Sequence, residues 1–145
     1  MAKPTQNYQN HTRNFPLFHY VAAPILTLNF LNTVRHLWLS PNFSTAWQVV
    51  FAFGLLALLF SARVMAITVQ DRVIRLEMQM RLARVLPADL QGQIAALERS
   101  QFVALRFASD EELPELVREI VAGRLAKSKD IKMRVKQWQA DWLRA

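Results

Sequence analysis

Three histidines are the side chains best suited to hold a metal ion or a haem: His11, His19 and His36. His19 and His36 are 17 residues apart. That is about 25 Å along one helix, so a single chain cannot bring both to one metal ion. The cofactor role left open is a single axial ligand to a haem or chlorophyll, from His19 or His36, or a histidine repeated by oligomer symmetry. We predict no bound cofactor and no metal site.

The acidic run DEELPE, residues 110–115, is the other group of potential metal ligands. Acidic side chains also stabilise the positive start of a helix, and Ser109 with Glu112 has the spacing of a capping box. We therefore assign the run to a helix start. The sequence has no cysteine, glycine-rich phosphate loop, nucleophile elbow or HExxH motif. Because these motifs carry thiol, phosphate and hydrolytic chemistry, we predict that the protein is not an enzyme.

Two uncharged runs organise the chain. Residues 45–62 are rich in Phe, Leu, Val and Ala, and residues 15–34 form a second run. Each is long enough to cross a bilayer as a helix. No glycine or proline interrupts residues 63–86, so the second helix is expected to continue beyond the membrane. The predicted fold is an all-α membrane protein with a two-helix transmembrane hairpin, a second helix extended into the cytoplasm and a small helical C-terminal region.

The predicted organisation has three parts. They are a polar arm over residues 1–14, a hairpin over 15–69 with spans of about 15–36 and 44–69, and a cytoplasmic helical region over 70–145. The formal net charge is +7, yet every acidic residue lies at or after Asp71. The arm holds Lys3 and Arg13, the loop holds only Arg35, and arginines recur after the second span. Positive charge favours the cytoplasmic side, so both termini are predicted to be cytoplasmic.

Amide side chains inside the spans are expected to pack between helices. Asn29 and Asn32 lie three residues apart, and a hairpin turning near residue 40 places Asn32 level with Gln48. Because amides are costly against lipid, all three are predicted to be interhelical contacts. The second span also carries small residues that allow close helix approach: Gly54, Ala57 and Ser61.

The predicted extension of the second helix has two apolar stripes on nearly opposite sides. One contains Val73, Leu76, Met80 and Ala83, and the other contains Ile74, Met78, Leu82 and Val85. The C-terminal tail can cover one stripe, and the other is expected to contact a further polypeptide or the membrane surface. The candidate partner contacts are therefore Val73, Ile74, Leu76, Met78, Met80 and Leu82. Glu77 and Arg81 have the spacing of a surface ion pair.

The tail from Ser128 combines tryptophans with basic residues, which is typical of an interfacial helix. Its predicted membrane-surface residues are Lys132, Lys136, Trp138 and Trp142. The alternative is that both tryptophans pack on residues 73–121 and the basic groups are solvated. No nucleic-acid-binding motif accompanies the charge, so we predict no nucleic-acid partner.

Three segments resemble a family of small bacterial membrane proteins known only as a domain of unknown function. They are QNYQNHTRNFPLFHY, ARVMAITVQDRVIRLE and the run from LPADL to QFVALRFASDEELPELV. The resemblance covers nearly the whole chain, and residues 3–20 match the family pattern best. It implies two membrane helices and a helical cytoplasmic tail, and it implies no activity.

The leading functional hypothesis is a non-enzymatic, multi-pass protein of the bacterial inner membrane that acts by association. It would be a homo-oligomer or an accessory subunit of a larger membrane complex. One alternative is a small oligomeric channel or transporter with a water-filled path lined by Asn29, Asn32, Gln48 and His36. Another is a cofactor-binding membrane subunit that uses His19 or His36. The predicted partners are the lipid bilayer and another polypeptide, with no soluble small-molecule substrate.

Overall fold

A computed structural model describes residues 6–10 and 15–141, and in this part of the chain all regular structure is helical. The elements in order are a π-helix at Leu17–Ala22, α1 at Ala23–Leu39, α2 at Phe43–Val85, α3 at Ala88–Gln91, a 3-10 turn at Ile94–Ala96, α4 at Arg99–Leu105, α5 at Leu113–Val121 and α6 at Ser128–Arg134. The predicted all-α class is confirmed. The long α2, 43 residues, confirms that one helix continues far beyond the apolar run.

The chain divides into two compact units, and α2 contributes residues to both. Among the described residues, 15–68 form one, here called the apolar unit. Residues 6–10 and 69–141 form the other, the terminal unit. The boundary between the two units on α2 lies between residues 68 and 69. The predicted boundary between the hairpin and the cytoplasmic region lies between residues 69 and 70, one residue later.

In the apolar unit, the first helix changes its winding ahead of Pro24. Proline has no backbone N–H, so the carbonyl four residues earlier, on Tyr20, loses its helical donor. The preceding residues form a π-helix, and the Ala23 N–H donates to the Phe18 carbonyl five residues back. The wider π-helical turns therefore come before α1, and α1 runs without interruption to Leu39.

The two helices of the apolar unit run antiparallel. The Phe30 and Phe53 ring centroids are 6.2 Å apart, and so are those of Phe18 and Phe60. A higher residue number in the first helix is thus paired with a lower residue number in the second, as antiparallel helices require. Asn42 immediately precedes α2. The Thr45 N–H donates to Asn42 Oδ1 at 3.0 Å, and the Asn42 N–H donates to Thr45 Oγ1 at 3.1 Å. This reciprocal pair satisfies two donors at the helix start.

In the terminal unit, the short helices cover one apolar stripe of α2. Ile74, Met78 and Leu82 are buried there, at 6%, 3% and 0% exposed. The tail supplies the other side of the core, and its largest fully buried side chains are Phe102, Phe107, Leu105, Leu113, Val117 and Ile131. The prediction that the tail covers one stripe is confirmed, with Leu86 continuing the core and Val85 only partly buried.

The caps of the short helices differ from the predicted ones. Glu98 begins α4 by a capping box with Gln101, whose side chain accepts the Glu98 N–H at 2.8 Å. Ser109 does not cap α5, because its carbonyl rather than its hydroxyl accepts the Glu112 N–H, at 3.2 Å. Gly123 ends α5 with a positive φ of 74°, which an L side chain rarely adopts.

Candidate association surface

One apolar stripe of α2 stays exposed on the terminal unit. Val73 is 49% exposed, Leu76 58% and Met80 56%, and Ala83 is exposed as well. They lie opposite the buried Ile74, Met78 and Leu82, because the two sets differ by about half a helical turn. Three of the six candidate partner contacts therefore belong to the chain's own core. Val73, Leu76 and Met80 are the ones left with free surface.

Arg81 contacts the loop between α4 and α5 from the border of the buried face of α2. Its Nε donates to Asp110 Oδ1 at 2.6 Å, its Nη1 to the Arg106 carbonyl at 3.3 Å and its Nη2 to the Ala108 carbonyl at 2.7 Å. The side chain is only 16% exposed. One guanidinium thus binds the loop between α4 and α5 to α2. The predicted partner of Arg81 was Glu77, and the structure gives Asp110 instead, because burial offers the guanidinium carbonyl acceptors as well as a carboxylate.

A second polar cluster joins the start of the chain to its tail. Gln6 is 7% exposed, and its Oε1 accepts the Asp141 N–H at 2.8 Å while its Nε2 faces the Asp141 carbonyl at 3.5 Å. The Asp141 carboxylate lies 2.9 Å from Arg106 Nε. Gln6, in the predicted polar arm, is therefore packed against the tail. Other residues of this arm, including Lys3, His11 and Arg13, lie outside the described residues.

Two of the tail residues predicted to lie at a membrane surface, Trp138 and Lys132, contact the Phe107 ring. Trp138 packs on it with ring centroids 4.8 Å apart, and the Lys132 ammonium lies 5.7 Å from the same ring. The contact of Trp138 is the intramolecular alternative that the sequence left open. Lys136 places its backbone N–H on a Glu112 carboxylate oxygen at 3.0 Å. Trp142 lies outside the described residues, and the membrane-surface role of the tail stays a prediction.

Glu119 of α5 and Arg134 of α6 form an ion pair with two hydrogen bonds. The distances are 3.3 Å from Nε to Oε2 and 3.1 Å from Nη2 to Oε1. The hydrogen bond from Arg134 lowers the pKa of Glu119 below its ordinary value, and the same bond raises the pKa of Arg134. Since both shifts favour the charged forms, the pair stays ionised at neutral pH.

The amides of the apolar unit lie away from the packed helix faces. Asn29, Asn32 and Gln48 are all exposed. Within residues 15–68 the structure gives no hydrogen bond between Asn32 and Gln48, because the half-buried face of α1 carries other residues. They are Leu26, Phe30, Thr33 and Leu37. The small residues Gly54, Ala57 and Ser61 are exposed too. The interhelical role of these groups within the hairpin stays a prediction.

The candidate cofactor histidines are separated in the structure as well. His19 Nδ1 lies 3.0 Å from the Phe15 carbonyl, and when it donates this bond Nε2 is the nitrogen left to bind a metal. His36 is exposed near the end of α1. Among the described residues, no group of three or more His, Asp or Glu side chains is placed to hold a metal ion. The concavity beside the acidic residues Glu112 and Glu115 measures about 30 Å³, room for about one water molecule.

Arg81 and Gln6 are the positioning residues that the sequence analysis missed. Arg81 has an acidic residue four positions earlier, a pattern that points to a surface pair. Gln6 has no local pattern, because its partner is 135 residues away. The only signal for Arg81 is that it lies between Met78 and Leu82, at the border of the buried stripe.

The described residues define an all-helical protein with two helices that are long and apolar enough to cross a membrane, Leu17–Leu39 and Phe43–Val85. The chain belongs to the family of unknown function DUF6526, which matches residues 1–145. This membership confirms the resemblance to a family without assigned activity. No curated protein and no solved structure matches the chain.

Proposed function

We propose that the protein is a non-enzymatic integral membrane protein that acts by association with another polypeptide. The observation that carries the proposal is the exposed stripe of Val73, Leu76 and Met80 on α2. Leaving such side chains in water forgoes roughly 1.5–3 kcal/mol for each one that could be fully buried. A continuous exposed apolar strip is typical of an interaction site.

The bilayer is the proposed environment of the apolar unit. None of the apolar window of Leu17–Leu39 is buried within the chain, and only 6% of that of Phe43–Val85 is. The core helix of a soluble protein would be mostly covered by its own chain. These helices instead expose most of their apolar side chains, which lipid accommodates and water does not.

The proposed topology has both termini on the cytoplasmic side of a bacterial inner membrane. Gln6 precedes the first apolar helix and Asp141 follows the second, yet their atoms are hydrogen-bonded. This contact supports a common side for both ends, since neither residue could reach the other through a bilayer. The Lys and Arg residues outside the loop favour the cytoplasmic side.

The association proposal is tested with Met80→Glu. Met80 is 56% exposed on the stripe and Met133 is 54% exposed on α6, so Met133→Glu is a matched control. In gentle detergent, Met80→Glu should lower the native mass of the assembly, because a buried carboxylate would be desolvated without a partner. Met133→Glu should leave the mass unchanged. An unchanged mass for Met80→Glu contradicts association through this face.

A small oligomeric channel is a second candidate, favoured by the exposed amides. Asn29, Asn32 and Gln48 would face lipid in a single chain, at a cost that contacts between chains would remove. In an oligomer they would line a polar path. Ion flux through reconstituted vesicles that is lost in Asn32→Leu would support this candidate, and absence of flux from the wild-type oligomer would exclude it.

A further inference from the structure

The exposed apolar stripe of α2 begins before Val73. Val69 is 60% exposed and lies four residues before Val73, so the exposed apolar positions are 69, 73, 76, 80 and 83. Their spacing is four, three, four and three, with a mean of 3.5 residues. That spacing is the heptad repeat of a coiled coil, in which such a seam faces a partner helix. The stripe spans about 21 Å along α2 at 1.5 Å per residue.

Within the seam, Val73 and Leu76 are the pair whose residue types favour a two-stranded coiled coil. In heptad terms Val73 and Met80 occupy a positions, and Val69, Leu76 and Ala83 occupy d positions. A β-branched residue at a with leucine at d favours two parallel strands. Because an ideal helix drifts only about 20° per heptad from this repeat, the five residues stay on one face.

The charges beside the seam indicate which helix fits. Arg72 occupies a g position and Glu77 the following e position, on opposite sides of the seam. Both are exposed, and neither forms an ion pair within the part of the chain that the structure describes. In a parallel, in-register pair, a g residue lies beside the e residue five positions later on the other strand. Arg72 of one copy would therefore meet Glu77 of the other, twice in a symmetric dimer.

We propose that the occupant of this surface is a second copy of the same chain, held in a parallel, in-register coiled coil over residues 69–83. The inference rests on the proposed function, because two copies inserted in one membrane with the same topology have parallel α2 helices. The chain thus carries both the seam and its complementary charges. A surface built for an unrelated partner has no reason to be complementary to itself.

Charge reversal tests the proposed register. Arg72→Glu and Glu77→Arg each place like charges across the seam, so each variant should self-associate about tenfold more weakly, a loss of about 1.4 kcal/mol over two surface pairs. The double variant restores opposite charges and should recover wild-type self-association. Mixed single variants, one carrying two acids and the other two bases, should prefer each other to themselves. The readout is copurification of two differently tagged full-length chains in gentle detergent.

Cysteine cross-linking tests orientation independently, since the chain has no native cysteine. When isolated membranes are treated with an added thiol oxidant, Val69→Cys and Ala83→Cys should each form a disulfide between identical positions, which only parallel, in-register strands allow at both ends. Met133→Cys is exposed but off the seam, and should remain uncross-linked.

The outcomes separate this inference from the association proposal. If differently tagged chains do not copurify while Met80→Glu still lowers the native mass, the partner is another protein and the dimer inference is overturned. If the chains copurify without regard to charge reversal, the register is overturned. If neither copurification nor a mass change is found, both proposals fail, and a monomer with its stripe on the membrane surface takes their place.

Discussion

Arg81 is a charged residue at the border between the buried and the exposed face of α2. Its guanidinium binds one carboxylate and two backbone carbonyls of the loop between α4 and α5. Holding that loop against the Met78 and Leu82 side leaves the opposite side exposed. Glu77, the acid expected to pair with it, is left at the solvent-facing edge of the stripe.

We expect Arg81→Met to destabilise the terminal unit by about 2–3 kcal/mol, because charge-assisted hydrogen bonds are lost and carbonyl groups of the loop lose their donor. Arg84→Met is the control, since Arg84 is exposed three residues later on the same helix. Amide hydrogen exchange over α4 and α5 measures the effect. Equal exchange in the two variants would show that Arg81 has no special role.

The Glu119–Arg134 pair gives α6 a dependence on pH. The pKa of Glu119 is lowered in the folded protein, chiefly by the hydrogen bond from Arg134. The stabilisation is therefore present above the ordinary carboxyl pKa of 4.5 and is lost as the pH falls from there through the lowered value. Exchange of the α6 amides, corrected for intrinsic rates, should rise over this range in the wild type. Glu119→Gln should show no such step, and an equal step in that variant would assign it to another group.

At the scale of elements, alanine substitutions at two glycines distinguish the effect of backbone conformation on stability from the effect of packing. Gly123 has φ +74° and Gly92 has φ −63°, and an added Cβ would meet no atom within 4 Å at either position. We expect Gly123→Ala to destabilise the terminal unit by about 1–2 kcal/mol, the cost of left-handed backbone for an L residue. Gly92→Ala should be neutral or stabilising, because it only restricts the unfolded chain. Denaturant titration of both variants tests this, and similar losses would contradict it.

Helix existence could be predicted from the sequence, and helix ends could not. The apolar runs and the uninterrupted residues 63–86 predict α1 and α2 because length and periodicity are local properties. The start of α5 depends on where the tail lies, since Glu112 accepts the N–H groups of Lys136 and Gln137. Periodicity also found both stripes of α2. It could not say which one the tail covers, because both have the same apolar character and the contacts of Arg81 with the loop between α4 and α5 join residues distant in sequence.

At the scale of the whole molecule, the topology is tested with single cysteines. Ser40 lies in the turn between α1 and α2, and Ala126 lies between α5 and α6; both are exposed. In intact cells, a membrane-impermeant thiol reagent should label Ser40→Cys and not Ala126→Cys, because only the loop is external in the proposed topology. After permeabilisation both should be labelled. Labelling of Ala126→Cys in intact cells would reverse the orientation.

The bond between Gln6 and Asp141 fixes an order of events during biosynthesis. Gln6 leaves the ribosome early, but its partner is made 135 residues later. Until then its amide has no place in the terminal unit, and both apolar helices have already been synthesised. The terminal unit can therefore be completed only after the residues of both apolar helices have been synthesised. A chain that inserted with its ends on opposite sides could not form this bond, so in the proposed topology a finished terminal unit requires both ends on one side of the membrane.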